Sequence, residues 1–217
     1  LLTRRSAVVL PSPGGDVIGR RRLDTHVQGL RQLGAKVEVS GGLRMTCRGF
    51  KSADLWLDEA SVTATENLIM VAATLPGRPT TIYNAACEPH VQDLCHLLVK
   101  MGADIDGIGT NRLIIRGRRR LSGTTYRIQP DYIEAGSFLA AAAATGGSIR
   151  LRGAHRPNIE PVMARAFNRL GVRWEVEGRD WVYGGKGRLI EDDIGGAVPK
   201  LEDGPWPGLP SDLLRML

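Results

Sequence analysis

Apolar positions along the chain recur at two periods, and the switch between the periods repeats. Val91, Leu94, Leu98 and Met101 fall on one stripe of a helix, as do Ile159, Met163, Phe167 and Leu170. A glycine follows each stripe, Gly102 and Gly171, and Gly34 follows the similar stretch that ends in Leu33. A glycine in that place predicts a left-handed C′ residue that stops the helix. The period then shortens to two. Val37 and Val39 alternate with Lys36 and Glu38, and Trp174 and Val176 with Arg173 and Glu175, which predicts strands. Ser40-Gly41-Gly42, the stretch from Gly107 to Asn111, and Glu177-Gly178 supply turns, after which a second strand such as Leu113-Ile114-Ile115 begins. Helix, glycine and hairpin therefore occur three times.

The spacing of these blocks makes them a repeat. Leu33, Met101 and Leu170, each just ahead of its glycine, stand 68 and 69 residues apart. A second helix repeats at the same distance: the run from Thr65 to Ala73 matches the run from Ile133 to Ala141. Glu88-Pro89 likewise maps onto Arg156-Pro157, with proline well placed at a helix start. The predicted unit is strand, helix, strand, helix, strand, strand, and the fold class is α/β, built from units of about 68 residues.

Composition narrows the setting. With 42% hydrophobic, 24% charged and 5% aromatic residues among 217, the chain is an ordinary globular one, not a disordered or fibrous one. No apolar run reaches the roughly 18 residues of a membrane span, the nearest being Phe138 to Thr145, so no membrane role is expected. Cys47, Cys87 and Cys95 form no CxxC pair and read as reduced thiols of a cytoplasmic protein. His26, His90, His96 and His155 lack metal-ligand spacing, so no metal is expected. A net charge of +6 points to anionic partners, either phosphorylated small molecules or nucleic acid. Arg118-Arg119-Arg120 lacks interleaved aromatics and reads as a solvated loop, which argues against nucleic acid. The opening Leu-Leu-Thr-Arg-Arg and the uncapped apolar end at Leu217 suggest a fragment.

Five motifs then agree in order. They are Pro13-Gly14-Gly15-Asp16-Val17-Ile18-Gly19 followed by Arg21, Asp24 and His26; Ser61-Val62-x-Ala64-Thr65-Glu66-Asn67; Asn84-Ala85-Ala86-x-Glu88-Pro89; Pro130-Asp131-x-Ile133-Glu134-Ala135-Gly136; and Pro207-Gly208-Leu209-Pro210-Ser211-Asp212. Together they resemble the UDP-N-acetylglucosamine 1-carboxyvinyltransferase family. The resemblance implies an enolpyruvyl-transferase fold, an inside-out α/β barrel in which two domains each hold three strand-helix units. It makes residues 1–130 most of the first domain and 131–217 the start of the second. It also implies cytoplasmic peptidoglycan synthesis, hence cell-wall biogenesis, cell shape and division, with phosphoenolpyruvate and UDP-N-acetylglucosamine as substrates and no cofactor. The related 5-enolpyruvylshikimate-3-phosphate synthases share fold and donor but lack an acid or thiol in a Pro-Gly-Gly loop.

The resemblance also assigns roles. Asp16 stands where the family usually has cysteine and would donate a proton to C3 of phosphoenolpyruvate. An ordinary aspartate, with a pKa of about 3.9, is ionised at neutral pH. Neighbouring Arg20, Arg21 and Arg22 lower it further, while a dianionic substrate and a water-excluding closed loop raise it. Fosfomycin alkylates the family's loop cysteine, so a carboxylate there implies resistance. Asp212 resembles the base for the sugar 3′-hydroxyl, and Arg21 a phosphate-side arginine. Arg22, Leu23, Asp24, Thr25 and His26 resemble the nucleotide strip, with Arg22 in place of the usual proline. Ser61 and Val62 resemble diphosphate contacts at a helix start, with Glu59-Ala60 where a lysine is usual. Those two departures keep a non-catalytic nucleotide-sugar-binding paralogue as the alternative. Asp131 and Glu134 read as structural or hinge residues, not as first-line catalysts. The family's Lys-Asn pair and C-terminal arginine, which grip phosphoenolpyruvate, are absent from this sequence, so the chain alone is expected not to turn over.

Overall fold

A computed structural model of the chain describes residues 1–11, 23–185 and 201–214. The chain divides into two compact units, Leu1–Arg127 and Ile128–Leu217.

Among the described residues, the first unit holds three helices, α1 (Asp24–Gln32), α2 (Val62–Ala72) and α3 (Pro89–Lys100). Two sheets accompany them. Strands β1 (Ala7–Pro11), β2 (Lys36–Val39) and β3 (Gly42–Thr46) form an antiparallel sheet in the order β1-β3-β2. Cross-strand register puts Val8, Met45 and Val37 in one row and Leu10, Leu43 and Val39 in another, all on one face as the period of two requires. Val39 nonetheless stays 64% exposed, because it stands at the tip of the hairpin. The second sheet runs β4-β5-β7-β6, from β4 (Asp54–Trp56), β5 (Thr80–Tyr83), β6 (Asp104–Asp106) and β7 (Arg112–Arg116). Its β4–β5 pair is parallel and crossed over by α2. Leu68 and Ile69 of α2, Val91, Cys95 and Leu98 of α3, and Leu55, Ile82, Leu113 and Ile115 of the sheet build the core.

The second unit repeats the plan on a smaller scale. Helix α4 (Tyr132–Ala144) precedes β8 (Ile149–Leu151), α5 (Glu160–Arg169), β9 (Glu175–Glu177) and β10 (Asp180–Tyr183), with a short α6 (Ser211–Leu214) further on. Its sheet order is β8-β10-β9. Trp174 packs against Trp181 in a tilted pair, ring centroids 4.8 Å apart, and meets Phe167 edge-on at 5.8 Å, giving this core an aromatic centre.

The repeat is written in the hydrogen bonds of the helix ends. Gly34, Gly102 and Gly171 have φ of +102°, +106° and +74°. The residue after each donates its backbone N–H to the carbonyl five positions back, Ala35 to Leu30, Ala103 to Leu98 and Val172 to Phe167. All three are Schellman stops. One expected element is missing: no strand forms between Gly117 and Asp131, ahead of α4. That stretch is held by α3 instead. Ser122 N–H donates to the Met101 carbonyl at 2.8 Å, the Tyr126 hydroxyl to Asp93 at 2.6 Å, and Lys100 Nζ to the Thr125 carbonyl at 3.4 Å. Among the described residues no helix is long and apolar enough to cross a membrane.

Candidate functional site

The amino ends of α1 and α2 meet in the first unit. Helix α2 starts from Ser61, whose backbone is extended and whose Oγ accepts from the Ala64 N–H at 3.4 Å. The loop leading into it is fixed from the β5 side. Asn84, in the left-handed region at φ +57°, donates from Nδ2 to the Leu57 carbonyl at 2.9 Å. Ala86 N–H donates to Thr65 Oγ1 at 3.0 Å, which ties the loop ahead of α3 to α2. The Asn84-Ala85-Ala86 motif thus orients the start of α2.

Three side-chain bonds join that start to α1. The buried Thr25 hydroxyl donates to Glu59 Oε1 at 3.3 Å. His26 Nε2 lies 3.2 Å from Thr63 Oγ1, and Asn67 Nδ2 lies 3.4 Å from His26 Nδ1. One turn further along, Gly29 lets the helices close up: a Cβ there would stand 2.5 Å from a methyl of the fully buried Leu68. Burial holds the half-buried His26 below its ordinary pKa of 6.5. The starts of both helices therefore lie together, and free first-turn N–H groups at a helix start are the kind that attract anions.

The structure joins Thr25 to Glu59 and His26 to Thr63, on either side of Ser61 and Val62 in sequence; Leu23, Ser61 and Val62 are half-buried and Asp24 is exposed. Glu59, where a lysine is usual, accepts from Thr25 and so braces α1. Asp16, Arg21 and Arg22 lie outside the described residues. Asp212 is exposed in the first turn of α6, next to Leu213, which is buried close to Gly136. Asp131 caps α4, accepting from Ile133 N–H at 2.8 Å and Glu134 N–H at 3.2 Å, in keeping with a structural role. Thr63 and Asn67 as partners of His26 escaped the sequence reading. Their only signal was a spacing of four residues, which places both on one face of α2.

Burial raises the Cys95 thiol to about 12, with Glu66 adding to it, and raises Cys87, with Glu88 adding. Glu66 is itself raised by burial; Glu88 adds to that and His90 opposes it. No group of three His, Cys, Asp or Glu side chains among the described residues could hold a metal ion.

Glycine-stopped helices, paired hairpins and repeated helix starts are the architecture of the enolpyruvyl transferases. The enolpyruvyl transferase NikO from Streptomyces tendae superposes with a TM-score of 0.67 at 20% identity, over 84% of this chain and 44% of that one. EPSP synthase from Acinetobacter baumannii gives 0.60 at 19% identity, over 82% and 42%. The family model of EPSP synthase (3-phosphoshikimate 1-carboxyvinyltransferase) matches residues 1–202, and the chain belongs to that family. Among curated relatives, the UDP-N-acetylglucosamine 1-carboxyvinyltransferase of Treponema denticola is 48% identical over 100% of this chain and 51% of its own length. That of Bradyrhizobium diazoefficiens is 51% identical over 100% of this chain and 50% of its own. The chain spans about half the length of these relatives.

Proposed function

We propose that the chain is part of a carboxyvinyltransferase that moves the enolpyruvyl group of phosphoenolpyruvate to the 3′-hydroxyl of UDP-N-acetylglucosamine, releasing phosphate, in cytoplasmic peptidoglycan precursor synthesis. The observation that carries this reading is the 48% and 51% identity, over the whole chain, to relatives bearing that name. Likeness to EPSP synthase at 19% identity concerns the fold alone, so the aminosugar acceptor is favoured over a shikimate. Residues 1–130 then belong to the first domain and 131–217 to the second.

In this reaction Asp16 protonates C3 while Asp212 takes the hydroxyl proton, and the sugar oxygen bonds to C2. Loss of a C3 proton back to Asp16 then expels phosphate from the tetrahedral adduct and leaves the enol ether. Arg21 serves the transferred phosphate by forked donation. Arg22 to His26 line the nucleotide, and Ser61 and Val62 offer backbone N–H groups to the diphosphate. Phosphate release by the polypeptide that carries this chain, given both substrates, tests the assignment. Asp16→Asn and Asp212→Ala are each expected to lower turnover by about 10² to 10⁴ while leaving UDP-N-acetylglucosamine binding in calorimetry. Near-native release by Asp16→Asn would refute the general-acid role, whereas no release by the unsubstituted polypeptide would favour the non-catalytic alternative. Fosfomycin should fail to inactivate the protein in a time-dependent way and should succeed against Asp16→Cys, since a thiolate is the better nucleophile.

A further inference from the structure

His26 bonds both nitrogens of its ring to the facing helix, at Thr63 and Asn67. The chemistry of these partners decides its proton. An amide nitrogen offers only hydrogens, so the ring nitrogen 3.4 Å from Asn67 Nδ2 presents a lone pair. A neutral ring with Nδ1 bare carries its proton on Nε2, and that nitrogen faces the Thr63 hydroxyl oxygen at 3.2 Å, which accepts it. A second proton on Nδ1 would set N–H against N–H. The carboxylates on the packed elements do not favour one either. Glu59 is engaged by Thr25, Glu66 lies in the field of Glu88 and His90, and Asp24 is on the exposed side of α1.

We propose that Thr63 and Asn67 are positioning residues that hold His26 as a neutral imidazole protonated on Nε2, so that it meets a bound nucleotide sugar as an oriented, uncharged ring rather than as a cation. The second half of this statement rests on the nucleotide reading of Leu23 to His26. The close approach at Gly29 and Leu68 one turn away keeps the two helices in the register that the clamp needs. Charge for the diphosphate is then left to helix-start N–H groups and arginine, and His26 contributes shape.

Long-range nitrogen–proton correlation of the imidazoles in the 217-residue chain reads the proton directly. The expected spectrum at neutral pH has Nδ1 of His26 bare and Nε2 protonated. Asn67→Asp places an acceptor opposite Nδ1, so the ring should gain a proton there, and UDP-N-acetylglucosamine should bind about tenfold more weakly. A merely structural Asn67 would leave the tautomer unchanged. An Nδ1-protonated or charged ring in the unsubstituted chain overturns the clamp, whether or not any variant folds. An Asn67→Asp ring that charges without altering affinity overturns the link to the ligand. The expected tautomer in a chain that binds no nucleotide sugar leaves the clamp standing and removes the proposed function.

Discussion

Helices α2 and α4 come from matching sequence 68 residues apart, yet their amino ends are secured differently. Helix α4 is self-sufficient: Asp131 accepts two of its first N–H groups, at 2.8 and 3.2 Å. Helix α2 is capped more loosely, by Ser61 at 3.4 Å, and its Thr63 and Asn67 bond to His26 of α1. Mapped at the repeat distance, Thr63 corresponds to Asp131, and Asn67 to Ala135. One frame has therefore been used for a self-contained cap and for a start that is cross-braced to a neighbouring helix. The cores differ in the same sense, aliphatic around Leu68 and Ile69 in the first unit and aromatic around Phe167 and Trp181 in the second.

If the second unit's repeat is chiefly structural, the largest stability effect should come from its aromatic centre. Phe167→Ala removes a fully buried ring and should cost about 3–5 kcal/mol, read from urea unfolding followed by tryptophan fluorescence. A cost below about 1 kcal/mol would mean that the Trp174–Trp181 pair does not depend on it.

The caps give a smaller and sharper contrast. Asp131→Ala should lower stability by about 1 kcal/mol, as lost caps commonly do, without affecting ligand binding. Ser61→Ala should cost less, because its bond is longer, but should weaken UDP-N-acetylglucosamine binding. Thermal unfolding and calorimetry on both variants separate the two, and the reverse ranking would break the contrast.

The smallest effect is a pH dependence. Burial places the folded-state pKa of His26 below 6.5, so the unfolded chain takes up that proton first. The neutral ring's contribution is complete above 6.5 and is lost as pH falls from 6.5 through the folded value. Glu66 acts in the opposite direction: its folded pKa is raised above 4.5, so the folded state binds that proton first and gains stability as pH falls through that interval. Comparing the chain with His26→Gln isolates the first contribution. The stability difference between them should narrow as pH drops below 6.5, and a constant difference would contradict the buried neutral ring.

Much of this was legible in the sequence because it is local. A stripe, a glycine and an alternating run fix three helix stops, and Gly34, Gly102 and Gly171 adopt the backbone that their place requires. The missing strand before α4 was not legible, since Ser122, Thr125 and Tyr126 are captured by a helix that lies earlier in the chain. The grouping of Leu23–His26 with Ser61 and Val62 as one nucleotide site is what the resemblance implies, not what spacing gives. The bracing between α1 and α2 was hidden altogether: His26 and Asn67 are 41 residues apart, and Gly29 leaves Leu68 the room that a side chain there would take.

Backbone amide shifts of the 217-residue chain, followed during titration with UDP-N-acetylglucosamine, test the contrast between the two helix starts most directly. The expected result is a saturable change at Leu23 to His26 and at Ser61 and Val62, with Ile133 and Glu134 unmoved. Equal changes at Ile133 and Glu134, or none at Ser61 and Val62 when ligand is in excess, would contradict the account.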